Sequence, residues 1–178
     1  MNIKILNLAV IFLTCTLFYT PVSAAKPPAR VIAGWVEKIQ LENHPHHIKA
    51  KLDTGAKTSS IYARDIEAFK KDGQRWVRFT LHLTDSEGKT FEHLIEKPRS
   101  RKANIKNHDG DHDQRYVVDL NICFNGNYYT TEFTLADRSE FIYGILLGRR
   151  FLKLTALVDA NKTFLTTPAC KIDTALPQ

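Results

Sequence analysis

An all-β fold, a small closed barrel with one or two short helical turns, is what this sequence predicts. Three observations carry it. Apolar residues alternate with polar ones in many short runs, the pattern of half-buried strands. Turn-forming pairs such as Asp-Gly and Asn-Gly separate those runs. The 178-residue chain, without internal repeats or low-complexity tracts, has room for one ordinary domain. Short strands in such a domain close most readily into a barrel, which leaves fewer exposed edges.

The elements follow in order. Val31 to Ile39 reads as a first strand and Ile48 to Leu52 as a second, ending at Asp53. Arg64 to Lys71 is expected to hold a short helical turn closed by Asp72-Gly73. Trp76–Leu83 and Thr90–Ile95, joined by Asp85-Ser86-Glu87-Gly88, form a hairpin. The polar, basic stretch from Lys97 to Gln114 is centred on Asn107-His108-Asp109-Gly110, whose Asp-Gly pair suits a second hairpin tip. Val117–Phe124 and Tyr128–Leu135 flank Asn125-Gly126-Asn127, a third hairpin. Ile145 to Gly148 then leads into a short helix, Arg149 to Leu154, followed by two last strands, Ala156–Asp159 and Thr163–Thr166.

The beginning of the chain speaks to location. Lys4 precedes a mostly apolar run from Ile5 to Tyr19, and Val22-Ser23-Ala24 supplies the small-x-small pattern of a signal-peptidase site. Pro21 follows too soon for a membrane span of about 20 residues. Residues 1–24 are therefore expected to be a cleaved secretory signal, 25–30 a linker, 31–170 the barrel domain and 171–178 a tail. The expected location is periplasmic or secreted, with no stable membrane insertion after cleavage. Cleavage of 24 of the 178 residues leaves 154, and the loss of Lys4 takes the formal charge from +6 to +5. That moderate, interspersed excess describes a solvated surface; no nucleic-acid partner is expected. Cys123 and Cys170 remain, and export permits a bridge between them. Cys123 shares the less apolar face of its strand with Asp119 and Asn121, so a bridge and two free thiols both stay open.

The chemistry centres on Lys51-Leu52-Asp53-Thr54-Gly55-Ala56-Lys57-Thr58-Ser59-Ser60. A carboxylate at a strand end, followed by a small hydroxyl residue and Gly, is suited to a tight turn. Without a Cβ, Gly55 lets backbone N–H groups approach the acid. Those donors, with the Thr54 hydroxyl locking the loop, favour the ionised form. One such acid is an ordinary strand-end residue. Two facing each other at about 3 Å share a proton, and one then serves as base and the other as acid toward water.

The Asp53-Thr54-Gly55-Ala56 turn, followed after several hairpins by Leu146-Leu147-Gly148-Arg149, resembles the retropepsin-like aspartic proteases. The resemblance is closer to a bacterial branch often labelled "ATP-dependent zinc protease" and associated with RimK-type glutamate ligases. It rests on Asp53 to Ser60, Arg115-Tyr116-Val117-Val118, Phe133-x-Leu135-x-Asp137-Arg138-Ser139 and Leu147 to Leu152, which together span about Val31 to Thr167. The resemblance implies a retropepsin-type barrel and an aspartic endopeptidase acting on a peptide or protein. It makes Asp53 the general acid/base, Thr54 a brace across a dimer axis and Gly55 a support of the loop. Ala56, Asp109, Gly110, Leu147 and Gly148 are the candidate substrate contacts, the Asp109-Gly110 hairpin by its flap-like position.

No H-E-x-x-H helix and no G-x-x-x-x-G-K-[ST] loop occurs, so zinc catalysis and ATP use lack sequence support. Neither His44-Pro45-His46-His47 nor His108 to Asp113 is expected to be a catalytic metal site, and no cofactor is expected. Only one D-T-G is present, and Asp137 lacks the Thr-Gly that would build a second such turn. A working acid pair therefore needs a second copy, which a two-fold dimer supplies. Arg115, Arg138 and Arg149 are expected to pair with acids, Arg149 foremost. The competing reading is a non-catalytic pepsin-fold module that binds peptides or a partner protein.

Overall fold

The structure, a computed structural model, describes residues 29–106 and 112–170. The expected signal segment, the Asp109-Gly110 tip and the tail lie outside the described residues. The elements are β1 (Val31–Leu41), β2 (His47–Leu52), β3 (Ser59–Lys71), β4 (Gln74–Thr84), β5 (Thr90–Pro98), β6 (Arg101–Lys106), β7 (His112–Phe124), β8 (Asn127–Ala136), β9 (Ile145–Leu147), α1 (Arg149–Thr155) and β10 (Ala156–Thr163). Pairing runs β1–β2–β9–β3–β8–β7 and returns from β7 to β1 through Gln40↔Cys123 and Leu41↔Ile122. The predicted barrel is thus a closed ring of six strands. β10 lies parallel to β1 at one margin, β6 pairs with β7, and β4 and β5 continue outward from β3 as a meander.

Alternation explains where the core sits. Ile39, Ile48, Ile61, Phe79, Leu81, Ile122, Phe133 and Ile145 are fully buried, contributed by successive strands of the ring and by β4. Burying a side chain of this size stabilises by about 1.5–3 kcal/mol. At Gly34 the backbones of β1 and β10 come so close that a Cβ would sit 2.4 Å from the Lys162 carbonyl oxygen. Asn125 and Gly126 have φ of 48° and 75°, giving the tight β7–β8 turn that Asn-Gly predicts.

Two expected elements need correction. Arg64–Lys71 is not a helical turn but the outer half of β3, paired with β4 from Arg64↔Thr80 to Lys71↔Gln74. Asp72 and Gly73, at φ 50° and 76°, form a two-residue hairpin turn, so the Asp-Gly signal was real but closed a strand. The last two strands are one, β10, ending at Thr163. Phe164 adopts a φ of 56°, and the segment after it is fastened by a carboxylate instead of a ladder. Glu37, fully buried in β1, accepts hydrogen bonds from the backbone N–H groups of Gly34, Leu165 and Thr166 and from the Thr166 hydroxyl.

The cysteine alternatives resolve to a bridge. Cys123 and Cys170 are disulfide-bonded across 47 residues, and Cys123 is fully buried despite its polar neighbours in sequence. In the chain-entropy account a loop of that length is worth about 4 kcal/mol.

Candidate active site

Asp53 follows the last residue of β2, and its backbone N–H donates to the Leu147 carbonyl at 2.8 Å, extending the β2–β9 ladder by one bond. The chain then turns before β3 begins at Ser59. Oδ1 of Asp53 accepts from the N–H of Gly55 at 3.0 Å and of Ala56 at 3.3 Å. The cradle is tight, since a Cβ on Gly55 would lie 3.2 Å from that oxygen. Oδ2 faces the Lys51 ammonium at 3.4 Å. About a quarter of the side chain, 24%, is exposed. Partial burial pushes the carboxyl pKa up, but the Gly55 donor, the Lys51 charge and the Ala56 donor outweigh it and hold the acid below its ordinary value.

What locks the turn is the start of α1. Arg149 donates from its guanidinium to the carbonyls of Thr54 (3.0 Å) and Gly55 (2.6 Å), and from its backbone N–H to Ala56 (2.9 Å). The Arg150 N–H reaches the Lys57 carbonyl at 3.1 Å. Four successive carbonyls are thereby tied to two residues, partly through N–H groups that a helix start leaves free. Gly148 makes this approach possible, because a Cβ there would meet the Thr58 carbonyl carbon at 2.7 Å. Its N–H donates to the Ser59 hydroxyl at 3.1 Å. The expected acid partner for Arg149 is therefore replaced by backbone carbonyls. The Thr54 hydroxyl makes no hydrogen bond among the described residues, and Thr54 is exposed.

The expected substrate contacts separate. Ala56 lines a groove of about 420 Å³ beside the turn. Leu147 and Gly148 are buried behind the turn and build it instead of facing that groove, where Leu146 is found. Asp109 and Gly110 lie outside the described residues. The β6–β7 hairpin does border the groove, through Arg101, Lys102 and Arg115. Lys57, Arg138 and Arg150 complete a set of six cations around it. Glu132 holds Arg101 with two bonds of 2.8 Å and also contacts Arg150, and Asp113 pairs with Arg115 at 2.6 Å. The Arg101 hydrogen bond, with smaller help from Arg150, keeps the Glu132 carboxyl below its ordinary pKa against the effect of burial. Arg101 and Glu132 escaped the sequence reading. Their strands show basic or polar residues at outward positions, and nothing in either run marks the pairing.

Asp137 lies just after β8, where its Oδ1 accepts the Ser139 N–H at 2.9 Å. His44 and His46 stack on Phe91, His44 at 4.2 Å, and His93 meets the His44 ring edge-on. No group of three or more His, Cys, Asp or Glu among the described residues is arranged to hold a metal ion.

The chain is similar to several known proteins. A "Probable alpha-L-glutamate ligase" of Shewanella pealeana is 39% identical over 66% of the chain, and one of Desulfotalea psychrophila 35% identical over 63%. The matched parts make up only 25% and 24% of those ligases, so the chain corresponds to about a quarter of their length. A crystal structure of a Legionella pneumophila protein of unknown function is 33% identical, with a TM-score of 0.65, and the match covers 78% of this chain and all of that one. Residues 32–169 match the family described as "Retropepsin-like aspartic endopeptidase RimB", and the chain belongs to that RimB-like family.

Proposed function

We propose that the protein is an exported, homodimeric aspartic endopeptidase in which two Asp53 carboxylates, one per subunit, activate water. The observation that carries this reading is the Asp53 carboxylate itself: partly open to solvent at a strand end, and fixed by two backbone donors in a turn pinned at four carbonyls. In a single chain it is a depressed, ionised acid. Brought against its copy, one of the two must take up a proton, since like charges at about 3 Å do not both stay ionised. The ionised carboxylate then takes a proton from water as its oxygen attacks the peptide carbonyl carbon. The protonated one donates to the carbonyl oxygen. Collapse of the tetrahedral species breaks the C–N bond: the proton gained from water passes to the leaving amine, and one hydroxyl of the gem-diol returns a proton to the carboxylate that had donated, which restores the pair.

Two features support a second copy at this place. Exposed Thr54 shares a shallow cleft with Leu157 and Val158 of β10, whose outer edge pairs with no other described strand. Leu157 is half exposed, and its register partner Ile32 more so, giving an apolar margin beside the turn. Export is supported by the leader-like start of the sequence and by the Cys123–Cys170 bridge, which suits an oxidising compartment. The six cations of the groove favour acidic peptides, in keeping with the glutamate in the relatives' names.

The test is cleavage of a peptide library by the protein beside Asp53→Asn, with the mass in solution measured by sedimentation. Wild type should cleave as a dimer and Asp53→Asn should lose at least a hundredfold in kcat/KM. Equal cleavage by both proteins would overturn the aspartic mechanism. A monomer that binds peptides without cutting them would favour the non-catalytic binding module.

A further inference from the structure

Arg138 stands apart from the other arginines of the groove. Arg101 and Arg150 rest on Glu132, and Arg115 rests on Asp113. Arg138 is only 6% exposed, yet no carboxylate among the described residues lies within ion-pair distance of it. Its Nε donates to the Tyr143 carbonyl at 3.1 Å, and its guanidinium carbon stands 4.5 Å from the centre of the Phe141 ring. The two Nη groups make no hydrogen bond to any described residue. Among the described residues no side-chain nitrogen or oxygen that is sealed from solvent lacks a partner, so both Nη groups must open onto space. That space is identified by the cavities: Arg138 lines the 420 Å³ groove beside the Asp53 turn and also a 630 Å³ cleft formed with Tyr62, His82 and Tyr143.

Such a placement is costly. A guanidinium drawn largely out of water with no carboxylate in ion-pair contact is held at a cost, and replacing it with an apolar side chain of similar size is often neutral or favourable. Burial and the Arg115 charge both weaken its hold on its proton, and the Asp53 charge opposes them with a smaller effect. A fork of two free N–H groups at the wall between two cavities matches one ligand chemistry closely, a carboxylate received through two parallel hydrogen bonds.

We propose that Arg138 is a specificity-determining residue that receives a substrate carboxylate next to the Asp53 turn, either the side chain of an acidic residue or a C-terminal carboxylate. The role in cleavage rests on the endopeptidase reading given above; the binding of the carboxylate does not. The decisive experiment uses the purified Asp53→Asn protein, so that binding is read without turnover. Fluorescently tagged tetrapeptides are titrated by anisotropy: tetraglutamate, tetraglutamine, and each with its C-terminus amidated. Adding Arg138→Met should weaken tetraglutamate binding 10- to 100-fold, the range for charged hydrogen bonds, and leave amidated tetraglutamine unchanged. Loss on amidation alone assigns the site to the C-terminal carboxylate, and loss on Glu→Gln exchange alone assigns it to the side chain. Arg138→Met should also melt at or above the temperature of its parent, because it removes a largely buried charge that has no carboxylate in ion-pair contact. Equal weakening for all four peptides, or a lower melting temperature with discrimination intact, overturns the proposal in favour of a purely structural arginine. If the wild-type protein cleaves nothing while these binding differences hold, the endopeptidase reading fails and the carboxylate site stands.

Discussion

Glu37→Gln is the sharpest probe of how the barrel margin is held. Oε1 accepts from Gly34 N–H at 2.6 Å and Leu165 N–H at 2.9 Å, and Oε2 accepts from Thr166 N–H at 3.0 Å and the Thr166 hydroxyl at 2.9 Å. All four partners are donors, and the site is closed to water, Glu37 being 0% exposed. A carboxamide keeps one acceptor oxygen and turns an NH₂ toward the other pair. In its better orientation the NH₂ faces Thr166, where the hydroxyl rotates to accept and only the Thr166 N–H is orphaned. That buried orphan costs about 1–3 kcal/mol, and the two surviving bonds lose their charge assistance at about 1 kcal/mol each. The expected loss is therefore about 3–5 kcal/mol, lowering Tm by on the order of 10 °C for a domain of this size. Urea denaturation at neutral pH measures it, with the disulfide intact in both proteins. Hydrogen exchange should show the backbone N–H groups of Leu165 and Thr166 losing protection first. A loss below about 1 kcal/mol, with those amides still protected, would refute the claim that one buried carboxylate fastens the segment after β10.

Two smaller predictions follow from the turn. Gly148→Ala places a methyl 2.7 Å from the Thr58 carbonyl carbon and 2.9 Å from its oxygen, both backbone atoms; the turn must shift, at about 1–3 kcal/mol in denaturation midpoint, and an unaltered midpoint would contradict the close approach. Lys51→Met removes a charge that helps depress the Asp53 pKa, so carboxyl-detected NMR on monomeric protein should find the wild-type midpoint below 3.8 and the variant higher. Because the folded value is depressed, the stability tied to Asp53 ionisation is present above the unfolded pKa and fades as pH falls through the folded one, so Lys51→Met should carry less of it and complete its loss at a higher pH. Coincident midpoints in the two proteins would remove Lys51 from the site.

What could be read in the sequence was what is settled within a few residues. Asp53 and its two donors lie within three positions of each other, so the D-T-G-A run already implied a carboxylate cradle. Asn125-Gly126 and Asp72-Gly73 announced their turns through their own φ requirements. The segment before Asp72 was misread for a complementary reason: Arg64 to Lys71 is mostly exposed, so burial imposes little period-two pattern, and it becomes a strand because β4 pairs with it. Arg149 failed in the same way, since the carbonyls it holds lie 94 and 95 residues earlier. The groove follows this division. Its cations come from the Asp53 turn, β6, β7, the segment after β8 and α1, and no local stretch displays them together. The family's signature is therefore written in one short stretch, whereas the charged lining of the groove arises only where distant strands converge. If Arg138 receives a substrate carboxylate as proposed, exchanging that single residue would shift the substrate with Asp53-Thr54-Gly55 unchanged and with no trace in the motif.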